Sequence, residues 1–139
     1  EIAVGSLRGG RMFYFSCDTT HDALPDAGIY DTVLYDVESL LGIPFGMSRE
    51  ELFRSNETRS VHAMAMAGVA LDNAGHPAKW VAENSFGADC GTDGYVTLSD
   101  EWFARYLFRM VVERRFLQDS LQDCLSRKPV RIPAWNPNY

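Results

Sequence analysis

Two periods of apolar spacing run through this chain, and they divide it into short elements. Ile2, Ala3, Val4 and Leu7 lead into the Gly9-Gly10 pair, which predicts the end of a helix with a glycine stop. The aromatic segment Arg11-Met-Phe-Tyr-Phe-Ser-Cys17 is short and bounded by Gly and Asp, so it reads as a buried strand. Residues 18–30, with Pro25 and Gly28, read as a loop. Apolar residues at 34, 37, 40 and 41 have helical spacing, ended by Gly42, and Ser48 with Glu51 has the form of a capping box for a helix over 49–54.

A strand-rich stretch follows. Val61 to Leu71 predicts a strand ending in the turn Asp72-Asn73-Ala74-Gly75, and Lys79-Trp-Val-Ala-Glu83 a second strand of alternating polarity. Gly94 to Leu98 predicts a third, Ser99-Asp100-Glu101-Trp102 a turn of helix, and Tyr106 to Glu113 a fourth strand. Leu117, Leu121 and Leu125 share one face of a short helix. Arg131 to Tyr139 holds two prolines and no periodicity, which predicts an extended arm. Antiparallel hairpins flanked by short helices mean an α+β fold, with residues 1–139 forming one unit.

Charge narrows the classes of function. Thirteen basic against nineteen acidic residues leave a formal charge of −6, which argues against a partner that is nucleic acid or an anionic membrane. Charged residues or glycine break every apolar run before it reaches the roughly 18 residues of a membrane span. The chain opens on Glu1 inside an apparent helix, so it is expected to be the C-terminal piece of something longer. Its three cysteines, Cys17, Cys90 and Cys124, form no CxxC pair and have no histidine at zinc spacing, pointing to a reducing compartment. Asn56-Glu57-Thr58 has the form of a glycosylation acceptor, relevant only to a secreted chain.

Of three histidines, His21 and His76 fall in polar loops. His62 opens an apolar strand, where an imidazole is either a satisfied core group or one held for acid–base work. Asn84 stands 22 residues on, at the end of the neighbouring strand, and a hairpin of that length can bring the two together. A neutral amide oxygen can accept the imidazole N–H and fix the ring without adding charge, an arrangement suited to a partner thiolate.

His62-Ala63-Met64, Glu83-Asn84-Ser85-Phe86-Gly87 and Gly94-Tyr95 resemble the histidine and asparagine segments of papain-like cysteine peptidases, in particular the bleomycin hydrolase/aminopeptidase C branch. Phe15-Ser-Cys-Asp18, Leu34-Tyr35-Asp36, Ser99-Asp100-Glu101-Trp102-Phe103 and Pro133-Ala134-Trp135 are similar to segments of that branch in the same order. The resemblance implies a papain-like fold, of which this chain is the C-terminal, barrel-like β-sheet half with short flanking helices. It implies that His62 is the catalytic histidine, that Asn84 orients it, and that peptides are hydrolysed from the N-terminus through a thioester. It implies no metal or organic cofactor, a cytoplasmic location and a homohexamer. It also implies that residues 131–139 lie in the cleft, where the carboxylate of Tyr139 pairs with the free amine of the substrate. This chain departs from the branch at Val61, where a hydroxyl residue is usual, at Phe86 in place of Trp, and in its shorter arm.

The resemblance also places the nucleophilic cysteine far upstream of the histidine, in a segment this sequence lacks. Cys17 lies only 45 residues before His62, against ~130–150 in papain-like chains. It sits in a strand with no feature to depress its pKa, so it reads as structural. Cys90 reads as a loop thiol and Cys124 as a helix residue. Two readings stay open: the C-terminal portion of a cysteine aminopeptidase, or a catalytically inert papain-fold relative serving as an interaction module.

Overall fold

The computed structural model describes residues 1–44 and 46–135. Its spine is a seven-stranded sheet in the order β2 (Ala23–Leu24), β3 (Ile29–Tyr30), β6 (Tyr95–Ser99), β5 (Pro77–Glu83), β4 (His62–Leu71), β1 (Phe13–Cys17) and β7 (Leu107–Val111). Helix α1 (Ile2–Arg8) ends where the N–H groups of Gly9 and Gly10 bond back to Gly5 and Leu7, and Gly10 turns the chain at φ +72°. Strand β1 (Phe13–Cys17) follows and has neighbours on both sides. Phe13 and Phe15 lie opposite Met66 and Met64 of β4 (His62–Leu71), and all four are buried.

Strand β4 turns through Asp72, whose carboxylate accepts the N–H groups of Ala74 and His76 at 2.8 Å each, into β5 (Pro77–Glu83). Trp80 and Ala82 of β5 face the core between exposed neighbours, as the alternation predicts. β5 pairs with β6 (Tyr95–Ser99), and all these ladders are antiparallel.

The segment 18–30 differs from the predicted loop. It contains β2 (Ala23–Leu24) and β3 (Ile29–Tyr30), and β3 pairs parallel with β6, so the sheet is mixed. Two-residue strands are too short to show periodicity. Tyr30 is buried at their end, its ring 5.0 Å from that of Trp102.

Helix α4 (Asp100–Tyr106), capped by the Ser99 hydroxyl, covers the sheet with Trp102, Phe103 and Tyr106. Phe103 meets Phe15 and Trp80 at 5.4 and 4.9 Å between ring centres, and the Trp80 indole N–H donates to Asp100 at 2.8 Å. Tyr106 closes this helix rather than opening the fourth strand, because its ring stacks on His21 and its hydroxyl donates to Asp22 at 2.6 Å. Strand β7 (Leu107–Val111) begins one residue later.

Helix α2 (Val37–Leu41) starts after Asp36, whose side chain accepts from Ser39 N–H, and stops at left-handed Gly42. Helix α3 (Arg49–Arg54) carries the predicted capping box, with Ser48 and Glu51 bonded reciprocally. Helix α5 (Asp119–Leu125) begins two residues later than the leucine spacing suggests, and Leu121 and Leu125 stay exposed. Residues 126–135 carry no helix or strand; the rest of the predicted arm, including Tyr139, lies outside the described residues.

Candidate active site

The register of β4 against β5 decides what can meet at the end of this hairpin. From Gly68↔Val81 to Ala70↔Lys79 the pairing is regular, then it shifts by one residue between Met66 and Gly68, so that Met66 faces Ala82 and Ala65 faces Glu83. Ala67 is the extra residue of a bulge. One step beyond Glu83, this register sets Asn84 across from Met64, and His62 is two residues further along β4. Without the bulge Asn84 would face Ala65, and its side chain would leave the face that carries His62. A diagonal pair on one face is within side-chain reach. The isolated Gly68 inside a strand pattern was the sequence signal for this bulge.

His62 Nε2 lies 2.8 Å from Asn84 Oδ1. The same oxygen accepts the backbone N–H of Ser85 at 2.8 Å. A backbone donor fixes that atom as the oxygen, so it is Nε2 of the ring that carries the proton. His62 therefore offers Nδ1, which has no partner among the described residues, as its basic nitrogen. Asn84 is itself buried and held by its own N–H on the Gly94 carbonyl at 2.9 Å.

Phe86 stacks on the His62 ring, 5.0 Å between centres and 21° between planes. It remains mostly exposed on its other side. An open groove of about 350 Å³ runs beside His62, lined by Ser16, Ser60, Val61, Ala63 and Ser85 among others. The Ser16 hydroxyl is buried with no hydrogen bond to a described residue.

The three thiols fall in different places. Cys17 is directly across the sheet from His62, yet it is fully buried. Burial, reinforced by the Asp18 charge, pushes its thiol up to about 12, so it holds no thiolate at neutral pH. Cys90 lies in the loop after β5, 3.5 Å from the Pro25 carbonyl and 4.0 Å from Asn84 Nδ2. Cys124 is exposed on α5. His76 is exposed in its turn, 3.6 Å from Asp72, and His21 is in the core-edge stack on Tyr106; neither approaches His62 through any described contact.

A curled sheet ending in a histidine held by an asparagine is the β-sheet half of the papain-like fold. A crystal structure titled PepW from "lactobacillus rhamnosis hn001 (dr20)" superposes on this chain with a TM-score of 0.92 and 32% identity, over 98% of this chain and 31% of that one. The family model described as the Peptidase C1-like family matches residues 1–138, and the chain belongs to that family. It is 34% identical over 137 residues to an aminopeptidase C of Lactococcus lactis subsp. cremoris, and 32% identical over 140 residues to the bleomycin hydrolase of Homo sapiens. Each match covers 99% of this chain; the chain spans 31% of the length of these relatives.

Proposed function

We propose that this chain is the C-terminal portion of a cysteine-type aminopeptidase, supplying the histidine and asparagine of a site whose nucleophilic cysteine lies upstream. The observation that carries this reading is the His62–Asn84 bond with its proton on Nε2. Nδ1 then takes the thiol proton, leaving a thiolate beside imidazolium. The thiolate attacks the scissile carbonyl, and Nδ1–H returns the proton to the departing amine. Nδ1 next takes a proton from water, whose oxygen attacks the thioester and releases the acid and the thiol. Throughout, Asn84 Oδ1 accepts from Nε2–H and stabilises the charged ring without neutralising it. The names of the relatives, aminopeptidase C and bleomycin hydrolase, support a peptide substrate entered from its free amino end.

Cys17 is buried and protonated, Cys90 contacts the Pro25 carbonyl and the Asn84 amide rather than His62, and Cys124 lies exposed on α5. Peptides are thus the proposed partners, in a cytoplasmic homo-oligomer, by resemblance a hexamer. Leu40, Leu41 and Trp135 are exposed apolar residues that such an assembly, or the upstream chain, would cover.

The test is turnover of a free-amine peptide by the full-length protein and its His62→Ala variant. Turnover that iodoacetamide and His62→Ala both abolish supports the reading. A full-length protein with no His62-dependent turnover and no alkylation-sensitive site is the inert interaction module instead.

A further inference from the structure

The Asp18 side chain, 2% exposed, sits just beyond the end of β1. Its Oδ1 accepts the N–H of Thr20 at 2.9 Å and the Thr20 hydroxyl at 2.6 Å. Its Oδ2 accepts the Thr58 hydroxyl at 3.0 Å and the N–H of Arg59 at 2.9 Å. The partners on the two oxygens belong to different parts of the chain. Thr20 lies in the loop leaving β1, whereas Thr58 and Arg59 lie in the segment that runs into His62. Burial alone would raise the pKa of this carboxyl, but the bonds from Thr20, Arg59 and Thr58 outweigh it and hold it below the usual carboxylate range. No Lys or Arg pairs with it among the described residues. His21 Nε2 stands 3.6 Å from Asp18 Oδ2 and, closer, 3.1 Å from the Glu57 carbonyl.

A buried carboxylate with no strong counter-ion is costly to keep, and a pure stability role would be served as well by apolar packing. What it does locally is specific. The loop between α3 and β4 turns through left-handed Asn56 and is bonded to Leu52 by the N–H groups of Glu57 and Thr58. From there to His62 the described ties are Asp18 Oδ2 on Thr58 and Arg59, and the Cys17 carbonyl on Val61 N–H at 3.1 Å. Two consecutive residues of β1 and its exit therefore pin the approach to His62. Val61, the residue before the histidine, has no side-chain hydroxyl with which to make such a tie itself.

We propose that Asp18 is a positioning residue for the peptidase reaction: through Thr58 and Arg59 it fixes the backbone entering β4, and with it the placement of His62 Nδ1. The proposal rests on the aminopeptidase reading of His62. A displaced imidazole would still bind peptide in the groove but transfer protons less well, so the effect falls on kcat rather than KM.

The test uses the full-length enzyme and two single substitutions that each delete one hydroxyl from the same carboxylate. Thr58→Val removes the tie on the His62 side, and Thr20→Val removes one on the far side. Thr58→Val should lower kcat at least tenfold with KM changed less than twofold, while Thr20→Val, which leaves both bonds on Oδ2 in place, should cost clearly less in kcat. Thr58→Ser, which keeps the hydroxyl, should restore kcat to within twofold of the parent. Thr58→Ala serves where a valine methyl against the carboxylate prevents folding. Parent-like kcat in a folded Thr58→Val or Thr58→Ala protein overturns the proposal, as does an equal loss in Thr20→Val. Unfolding of both Thr58 variants assigns the cluster to stability and overturns it too. If the parent shows no His62-dependent turnover, it is the aminopeptidase reading that falls, a result the parent and His62→Ala report before any Thr58 variant is made.

Discussion

The Asn84 amide oxygen serves two donors at once, His62 Nε2–H and Ser85 N–H, both at 2.8 Å. The second bond gives the first its meaning, because it holds the amide in one orientation and so sets the imidazole tautomer. In the full-length protein, His62→Ala should lower kcat by about three orders of magnitude or more, as loss of a catalytic base does. Asn84→Ala should cost less. A hydrogen bond to a charged group contributes about 1.5–3 kcal/mol, or about 10- to 150-fold in rate. Steady-state kinetics on one free-amine peptide gives both values, and an Asn84→Ala loss as large as that of His62→Ala would contradict an orienting role.

Phe86 lies over the His62 ring where the resembled branch has Trp, and it is 64% exposed. Under the aminopeptidase reading, this ring is proposed to keep water from competing for the His62–Asn84 bond. Phe86→Ala should therefore reduce kcat about tenfold, the value of one hydrogen bond of about 1.4 kcal/mol made in competition with solvent. Phe86→Trp should equal or exceed the parent, since the larger ring covers more of the pair. A Phe86→Ala enzyme with parent-like kcat would remove the shield from the mechanism.

How much of this was legible in advance depended on the range of the signal. The capping box at Ser48 and Glu51, the Asp72 turn and the exposed–buried alternation around Trp80 are local, and the chain spells them out within a few residues. The partnership of His62 with Asn84 was readable because a single hairpin joins them. The parallel β3–β6 pair was not: two residues at positions 29 and 30 join a strand some seventy positions later, and their own pattern carries no period. Tyr106 suits both states by its aromatic character, and its stacking on His21 and its hydroxyl bond to Asp22, both distant in sequence, go with its place in α4. The far half of the Asp18 cluster is hidden for the same reason, since Thr58 and Arg59 are 40 and 41 residues away.

Cys17 supplies a pH test. Its folded pKa is pushed up to about 12 from an ordinary 9.0, chiefly by burial. The folded protein therefore keeps a proton that the unfolded chain releases, and stability is lost as pH rises above about 9. Tyr30 and Tyr106, also pushed up to about 12 by burial, act in the same direction above their ordinary 10.0. Urea unfolding of the full-length protein between pH 8 and pH 11 should show a falling midpoint, with a shallower fall in Cys17→Ala. In the native protein at pH 8, a thiol reagent should modify exposed Cys124 readily and Cys17 only on unfolding. Fast labelling of Cys17 would contradict its burial.

The last prediction concerns the arm. Trp135 is 82% exposed against the described residues, and the helix before it leaves Leu121 and Leu125 exposed as well. An indole buries about 150–250 Å² when covered, and at roughly 25 cal/mol per Å² that is several kcal/mol lost by leaving it in water. Under the aminopeptidase reading, the arm is proposed to cover that surface by lying in the cleft. There, if the protein ends at Tyr139, the terminal carboxylate would meet the free amine of a peptide. Such a charge-assisted contact is directional, and it favours entry by an amino terminus over an internal segment. A peptide with a blocked amine loses that contact and meets the arm as an obstacle. Deleting residues 135–139 from the full-length enzyme should then raise kcat/KM for an N-blocked peptide relative to its matched free-amine partner, by about tenfold for one charge-assisted contact of about 1.5 kcal/mol. The deletion leaves the His62–Asn84 hairpin intact, so turnover itself should persist. An unchanged ratio in a correctly assembled protein would mean that the arm has no part in choosing the substrate's end.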